Sequence, residues 1–130
     1  MTRIDHVALW TRDLDRLRDF YVGLLGATAG PRHEDPRFGF ASYFLSFEGG
    51  GRIELMSMPS VPETRDDPIA QATGWAHVAF ALGSRAAVDA LAARLAAAGH
   101  RVIDPPHVTS DGYYECAALD PDGNRIEVAS

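Results

Sequence analysis

The sequence predicts an α+β fold in which two βαβββ modules form a cupped, barrel-like mixed sheet with the helices outside. Three observations lead there. The run "HVAL" at 6–9 returns as "HVAF" at 77–80. The run "GGGRIELMS" at 49–57 returns as "DGNRIEVAS" at 122–130. Between the members of each pair the same order of elements can be laid down, so the chain reads as one unit used twice.

The elements follow in order. "RIDHVALW" (3–10) is apolar and β-branched over strand length. Thr11 can cap the next helix, with Asp13 and Asp15 near its positive end. Leu14, Leu17, Phe20, Tyr21, Leu24 and Leu25 recur at the three-and-four spacing of one buried face, and Gly26 is a suitable stop. Strands are expected within 27–34, at 41–48 and at 52–58, with "EGGGR" turning between the last two. The order restarts with a strand at 74–82. Ser84 then caps a helix over 85–98, whose apolar stripe is Val88, Leu91, Ala92, Leu95 and Ala96, and Gly99 ends it. Strands at 100–104, 113–119 and 124–130 complete the second half, with "DPDGN" placed like "EGGGR". The organisation expected is a single domain over 1–130, with modules 1–58 and 74–130 joined by a proline-rich, charged linker at 59–73.

Composition sets the outer limits. A chain of 130 residues with 46% hydrophobic and 23% charged residues has enough apolar surface for a compact core. The net charge of −6 argues against a nucleic-acid partner, which would need clustered lysine and arginine. Cys116 has no second cysteine to pair with, and it sits among apolar strand residues as a core thiol. No basic, apolar leader opens the chain and no apolar run nears membrane-spanning length, so the expectation is a cytoplasmic protein with no membrane partner.

Strand alternation then sorts the faces. His6 shares a face with Ala8 and Trp10, and His77 with Ala79 and Ala81. Glu54 shares a face with Arg52 and Met56, and Glu127 with Arg125 and Ala129. Val7, Leu9, Val78, Phe80, Ile53, Leu55, Ile126 and Val128 point the other way, toward the helices. The same phase therefore appears four times, with one His or Glu on the open side. Imidazole nitrogen and carboxylate oxygen suit one divalent ion such as Ni²⁺, Zn²⁺, Co²⁺, Mn²⁺ or Fe²⁺. Two carboxylates neutralise its charge, and an octahedral ion would keep two positions open for Lewis-acid chemistry.

"DHVAL", "LRDFYVGLLG", "GGGRIEL", "HVAF" and "LDPDGNRIEV" together resemble the vicinal oxygen chelate superfamily, which includes glyoxalase I, bleomycin-resistance proteins, extradiol dioxygenases and methylmalonyl-CoA epimerase. The resemblance covers essentially the whole chain. It implies paired βαβββ modules around one metal, with His6, Glu54, His77 and Glu127 as ligands, and a homodimer as the common assembly. The full His-Glu-His-Glu set is similar to that of glyoxalase I, which implies proton transfer next to a metal-chelated carbonyl of a small-molecule substrate. Glu127 would then be the base and Glu54 its counterpart. An acyl-CoA epimerase of the methylmalonyl type is the nearest alternative, and a non-catalytic drug-binding protein is the alternative from another class.

The resemblance carries the metal set further than the substrate. Bacterial glyoxalase I has an arginine where this chain has Trp10 and an asparagine where it has Met58, and both help to hold glutathione. Trp10, Met56, Met58, Tyr113 and Tyr114 are the candidate lining of the substrate pocket. His33, His100 and His107 lie in or beside predicted loops and are expected to have surface roles, and 59–74 and 105–112 are candidate lids.

Overall fold

The computed structural model describes residues 1–64 and 67–130. The chain divides into two compact units, Met1–Arg65 and Asp66–Ser130. The first contains β1 (Val7–Trp10), α1 (Leu14–Leu25), β2 (Thr28–Ala29), β3 (His33–Asp35), β4 (Phe40–Ser46) and β5 (Arg52–Ser57). The second contains β6 (Val78–Ala81), α2 (Arg85–Ala97), β7 (Val102–Val108), β8 (Tyr114–Leu119) and β9 (Arg125–Ala129). No helix among the described residues is long and apolar enough to cross a membrane.

Each unit has its own mixed sheet, as the α+β class predicts. In the first the order is β1-β5-β4-β2, with β3 also paired to β4; in the second it is β6-β9-β8-β7. β1 runs parallel to β5 and β6 parallel to β9, while the other pairs are antiparallel. Among the described residues the strands pair into these two sheets, one in each unit. The registers also repeat. Val7 opposes Ile53 as Val78 opposes Ile126, and Phe44 opposes Glu54 as Ala117 opposes Glu127.

One face of each sheet is covered by its helix. α1 lies on β4 and β5, burying Leu14, Leu17, Phe20 and Tyr21 against Tyr43, Leu45, Ile53 and Leu55. α2 lies on β7, β8 and β9, burying Val88, Leu91, Ala92 and Leu95 over Cys116, Ala118, Ile126 and Val128. Ala96, expected in that stripe, is exposed. Each fully buried leucine, such as Leu17, Leu45, Leu55 or Leu95, contributes about 1.5–3 kcal/mol of burial free energy. Gly26 ends α1 in the left-handed region at φ 71°, where a side chain would be strained. α2 ends in a Schellman motif: Gly99 N–H donates to Ala96 O at 3.1 Å and His100 N–H to Leu95 O at 2.9 Å.

Several boundaries differ from expectation, each for a physical reason. The strand expected at 3–10 begins at Val7, and the one expected at 74–82 begins at Val78. Their parallel partners start at Arg52 and Arg125, which lie level with His6 and His77, so residues before the two histidines have no partner in those strands. The cap of α1 is Asp13 instead of Thr11. Thr11 N–H still donates to Met56 O at 2.8 Å and extends the ladder, while the Asp13 carboxylate accepts from Arg16 N–H at 3.0 Å. The strand expected at 100–104 runs on through Pro105 and Pro106 to Val108, which takes up the first half of the candidate lid at 105–112. Proline is tolerated there because β7 is the edge strand and its register shifts on both sides of Asp104. His107 consequently lies in β7, and His33 opens β3. Residues 65 and 66 of the expected linker lie outside the described residues, and its described residues form no helix or strand.

Candidate functional site

In the first unit the face turned away from α1 carries the chemistry. Glu54 sits in mid-β5, with Ala8 of β1 on one side and Phe44 of β4 on the other. His6 lies one residue before β1, and its Nε2 is 3.6 Å from Glu54 Oε1. The imidazole stands edge-on to the Phe44 ring, with centroids 5.2 Å apart. Its other nitrogen, Nδ1, is 2.7 Å from Asp5 Oδ2. Asp5 also accepts a hydrogen bond from Arg52 Nη2 at 2.5 Å, and the Arg52 guanidinium lies 4.7 Å from the centroid of the Phe44 ring. The bond to His6, then that to Arg52, holds the Asp5 carboxyl below the usual aspartate range. An ionised carboxylate only accepts, so Nδ1 of His6 is the nitrogen that donates to Asp5, which in a neutral ring leaves the lone pair on Nε2.

The same face continues into an aromatic strip. Trp10 opposes Met56, two residues along from Ala8 and Glu54, and its ring meets Phe40 edge-on at 6.3 Å. His33 also meets Phe40, with ring centroids 6.3 Å apart. Trp10 is 43% exposed, a large fraction for a tryptophan in a strand. Met58 follows the end of β5 and is half-buried, its carbonyl accepting from Val61 N–H.

The second unit repeats the pairing. His77 lies one residue before β6, and its Nε2 is 3.2 Å from Glu127 Oε2. Glu127 is flanked by Ala79 of β6 and Ala117 of β8. Around this shared plan the two surroundings differ. Ala76 stands where Asp5 stands in the first unit, and the Arg125 guanidinium donates to Pro68 O at 3.3 Å.

Glu115 is a functional candidate that the His–Glu repeat does not reveal. It opposes Ala129 in the β8–β9 pair and so shares the face of Glu127, and it opposes His107 in β7. Burial first, then the nearby Glu127 and Asp111 charges, push the Glu115 carboxyl above the usual glutamate range. The register equates Glu115 with Ser42 of the first unit, so the repeat carries no trace of it. Strand alternation against the apolar Cys116 is the signal that finds it.

Of the two tyrosines in the candidate pocket lining, Tyr114 is on the other face. It neighbours Cys116 in phase, and its hydroxyl donates to Asp89 of α2 at 2.6 Å. Tyr113 precedes β8 and is 55% exposed. Cys116 is buried, and desolvation pushes its thiol up to about 11, which fits an inert core residue.

The four proposed ligands are gathered as two pairs, one in each unit. Among the described residues no group of three or more His, Cys, Asp or Glu side chains is gathered for a metal. Each pair nonetheless has the chemistry of half a site. Two donors bound at right angles to one ion of this size are ~3 Å apart, close to the separations found, and one nitrogen with one carboxylate is a donor set that borderline divalent ions accept.

The comparisons with known proteins agree with this plan. Residues 3–128 match the Glyoxalase/Bleomycin resistance protein/Dioxygenase superfamily. The protein named Uncharacterized protein PA2024 from Pseudomonas aeruginosa is 33% identical over 124 residues, which are 95% of this chain and 85% of that one. A glyoxylase/bleomycin resistance protein/dioxygenase domain from Frankia sp. EAN1pec is similar at a TM-score of 0.84 and 24% identity, covering 99% of this chain and 97% of its own. The trypanothione-dependent glyoxalase I of Leishmania major is similar at a TM-score of 0.77 and 22% identity, covering 98% and 86%. At such identities the structural likeness speaks for the fold. Together with a family match spanning nearly the whole chain and a His–Glu pair repeated in register, it leads to one conclusion: the protein belongs to the glyoxalase/bleomycin resistance/dioxygenase superfamily, also called the vicinal oxygen chelate superfamily.

Proposed function

We propose that the protein is a metal-dependent enzyme of glyoxalase I type, a lyase or isomerase that moves a proton next to a chelated carbonyl. The observation that carries this reading is the matched pairing of His6 with Glu54 and of His77 with Glu127, each histidine presenting Nε2 to a carboxylate oxygen. A first-module pair and a second-module pair together hold one divalent ion (Ni, Zn, Co, Mn or Fe), in a single domain or across a homodimer in the cytoplasm. The ion, when bound, would act as a Lewis acid toward the oxygens of an α-hydroxy carbonyl substrate.

The protein's own groups do the rest. Glu127 takes the proton from the carbon beside the carbonyl, and Glu54 returns a proton on the opposite side. Ala8, Ala79 and Ala117 leave room for a substrate over the carboxylates. The Trp10–Phe40 strip and Met56 receive the apolar remainder. Trp10 and Met58 have no charged donor for a substrate carboxylate, so a thiol tripeptide is not the favoured co-substrate.

The test is metal content and α-proton exchange in deuterated solvent, with His77→Ala and Glu127→Ala as controls. About one ion per four-ligand set, lost in both variants together with exchange, is the expected result. A protein that binds none of the five ions would sink this reading. A second reading, non-catalytic binding of a small aromatic molecule, draws on the exposed Trp10 against Phe40. Binding of an aromatic ligand that a chelator leaves intact would select it.

A further inference from the structure

The two histidines are held differently, and the difference lies in the residue before each. Asp5 offers its carboxylate to Nδ1 of His6 at 2.7 Å and is itself gripped by Arg52 at 2.5 Å. Arg52 is in turn laid over the Phe44 ring that also meets the edge of His6. His77 follows Ala76, whose side chain has no acceptor to offer. A neutral imidazole in water places its proton on either nitrogen, and a neighbouring group decides which one is left to bind a ligand.

We propose that Asp5, oriented by Arg52, is a positioning residue that fixes His6 as the Nδ1–H tautomer and aims its Nε2 lone pair beside Glu54, whereas among the described residues Nδ1 of His77 has no such partner. An acceptor on the far nitrogen of an imidazole ligand sets its tautomer and ring orientation, and losing such a partner typically weakens metal binding about 10- to 100-fold. The first-module pair is therefore set before any ion arrives. The second, with the Glu127 carboxylate beside Nε2 of His77, must give up any Nε2 proton as the ion binds. Asp5 touches neither substrate nor the reacting atoms; it acts through His6.

The inference rests on the proposed function only in its second readout, so the two can fail separately. The first readout is the long-range ¹⁵N–¹H correlation pattern of the histidines in the metal-free protein, at a pH where both are neutral. His6 is expected to show the Nδ1–H pattern and His77, whose Nε2 faces the Glu127 carboxylate at 3.2 Å, the Nε2–H pattern. Asp5→Ala should move His6 to a mixture. Asp5→Asn, whose side-chain oxygen accepts the same bond, should restore the Nδ1–H pattern, and Arg52→Gln should move His6 part of the way. The second readout is Zn²⁺ affinity by competition with a chromophoric chelator, expected to fall about 10- to 100-fold in Asp5→Ala and much less in Asp5→Asn. A wild-type His6 that already shows a mixture, or one whose pattern is unchanged by Asp5→Ala, overturns the proposal. Wild-type protein with the predicted tautomer but no Zn²⁺ binding supports it while removing the metal-dependent function.

Discussion

Ala79 lies directly opposite Glu127 in the parallel pair β6–β9, as Ala8 lies opposite Glu54 in β1–β5. A methyl group beside each carboxylate is the smallest neighbour that still keeps the strand extended. Ala79→Leu should cover Glu127 without altering any proposed ligand. Turnover is expected to fall about 10- to 100-fold, since small displacements at a reacting centre have effects of that size. The melting temperature should change little, because Ala79 is exposed and the core lies on the opposite face. Wild-type turnover in Ala79→Leu would count against chemistry on this face.

The helix caps offer a test that is independent of function. Asp13 accepts from Arg16 N–H at 3.0 Å and Ser84 accepts from Ala87 N–H at 3.1 Å. Asp13→Ala and Ser84→Ala should each lower stability by about 1 kcal/mol in urea unfolding. Unchanged stability in Asp13→Ala would return the cap of α1 to Thr11.

Cys116 should resist alkylation in the native protein and react freely once unfolded. Desolvation raises its thiol to about 11 in the fold. The sign follows directly: stability associated with the neutral thiol is complete below the ordinary thiol range and is lost as pH rises toward 11. Iodoacetamide labelling should accelerate up to that pH, and Cys116→Ala should remove this contribution to alkaline unfolding. Rapid labelling at neutral pH would contradict a core thiol.

Glu115→Gln should stabilise the metal-free protein at neutral pH. The folded-state carboxyl of Glu115 is raised, so the protonated form favours folding below the ordinary glutamate range, and that advantage is lost as pH rises through the raised value. Glutamine resembles the protonated form at every pH. The gain over wild type should therefore widen from acidic to neutral pH in thermal melts. A gain independent of pH would point to packing instead of charge.

The parts of this protein that could be read from the sequence are those written twice. His6 and His77, and Glu54 and Glu127, occupy matching registers, and comparing the halves finds them without coordinates. α1 was legible because Leu14, Leu17, Phe20 and Tyr21 recur at helical spacing and are all buried. Features belonging to one half alone were harder to see. Asp5 is a bridging acceptor only because Arg52 folds back across the sheet, a contact 47 residues apart in the chain. Glu115 has Ser42 as its counterpart, so duplication is silent about it. β7 defeats local rules because prolines count against a strand until its place at the sheet edge is known.

That edge strand has a meaning for the life of the protein in a crowded solution. An open sheet border is a template on which another chain can lay its backbone and begin an aggregate. Pro105 and Pro106 remove two amide donors from β7, and the register shifts beside them break the even spacing a newcomer would need. Growth of the second sheet past β7 is discouraged by the same prolines that make this stretch look like a loop in the sequence.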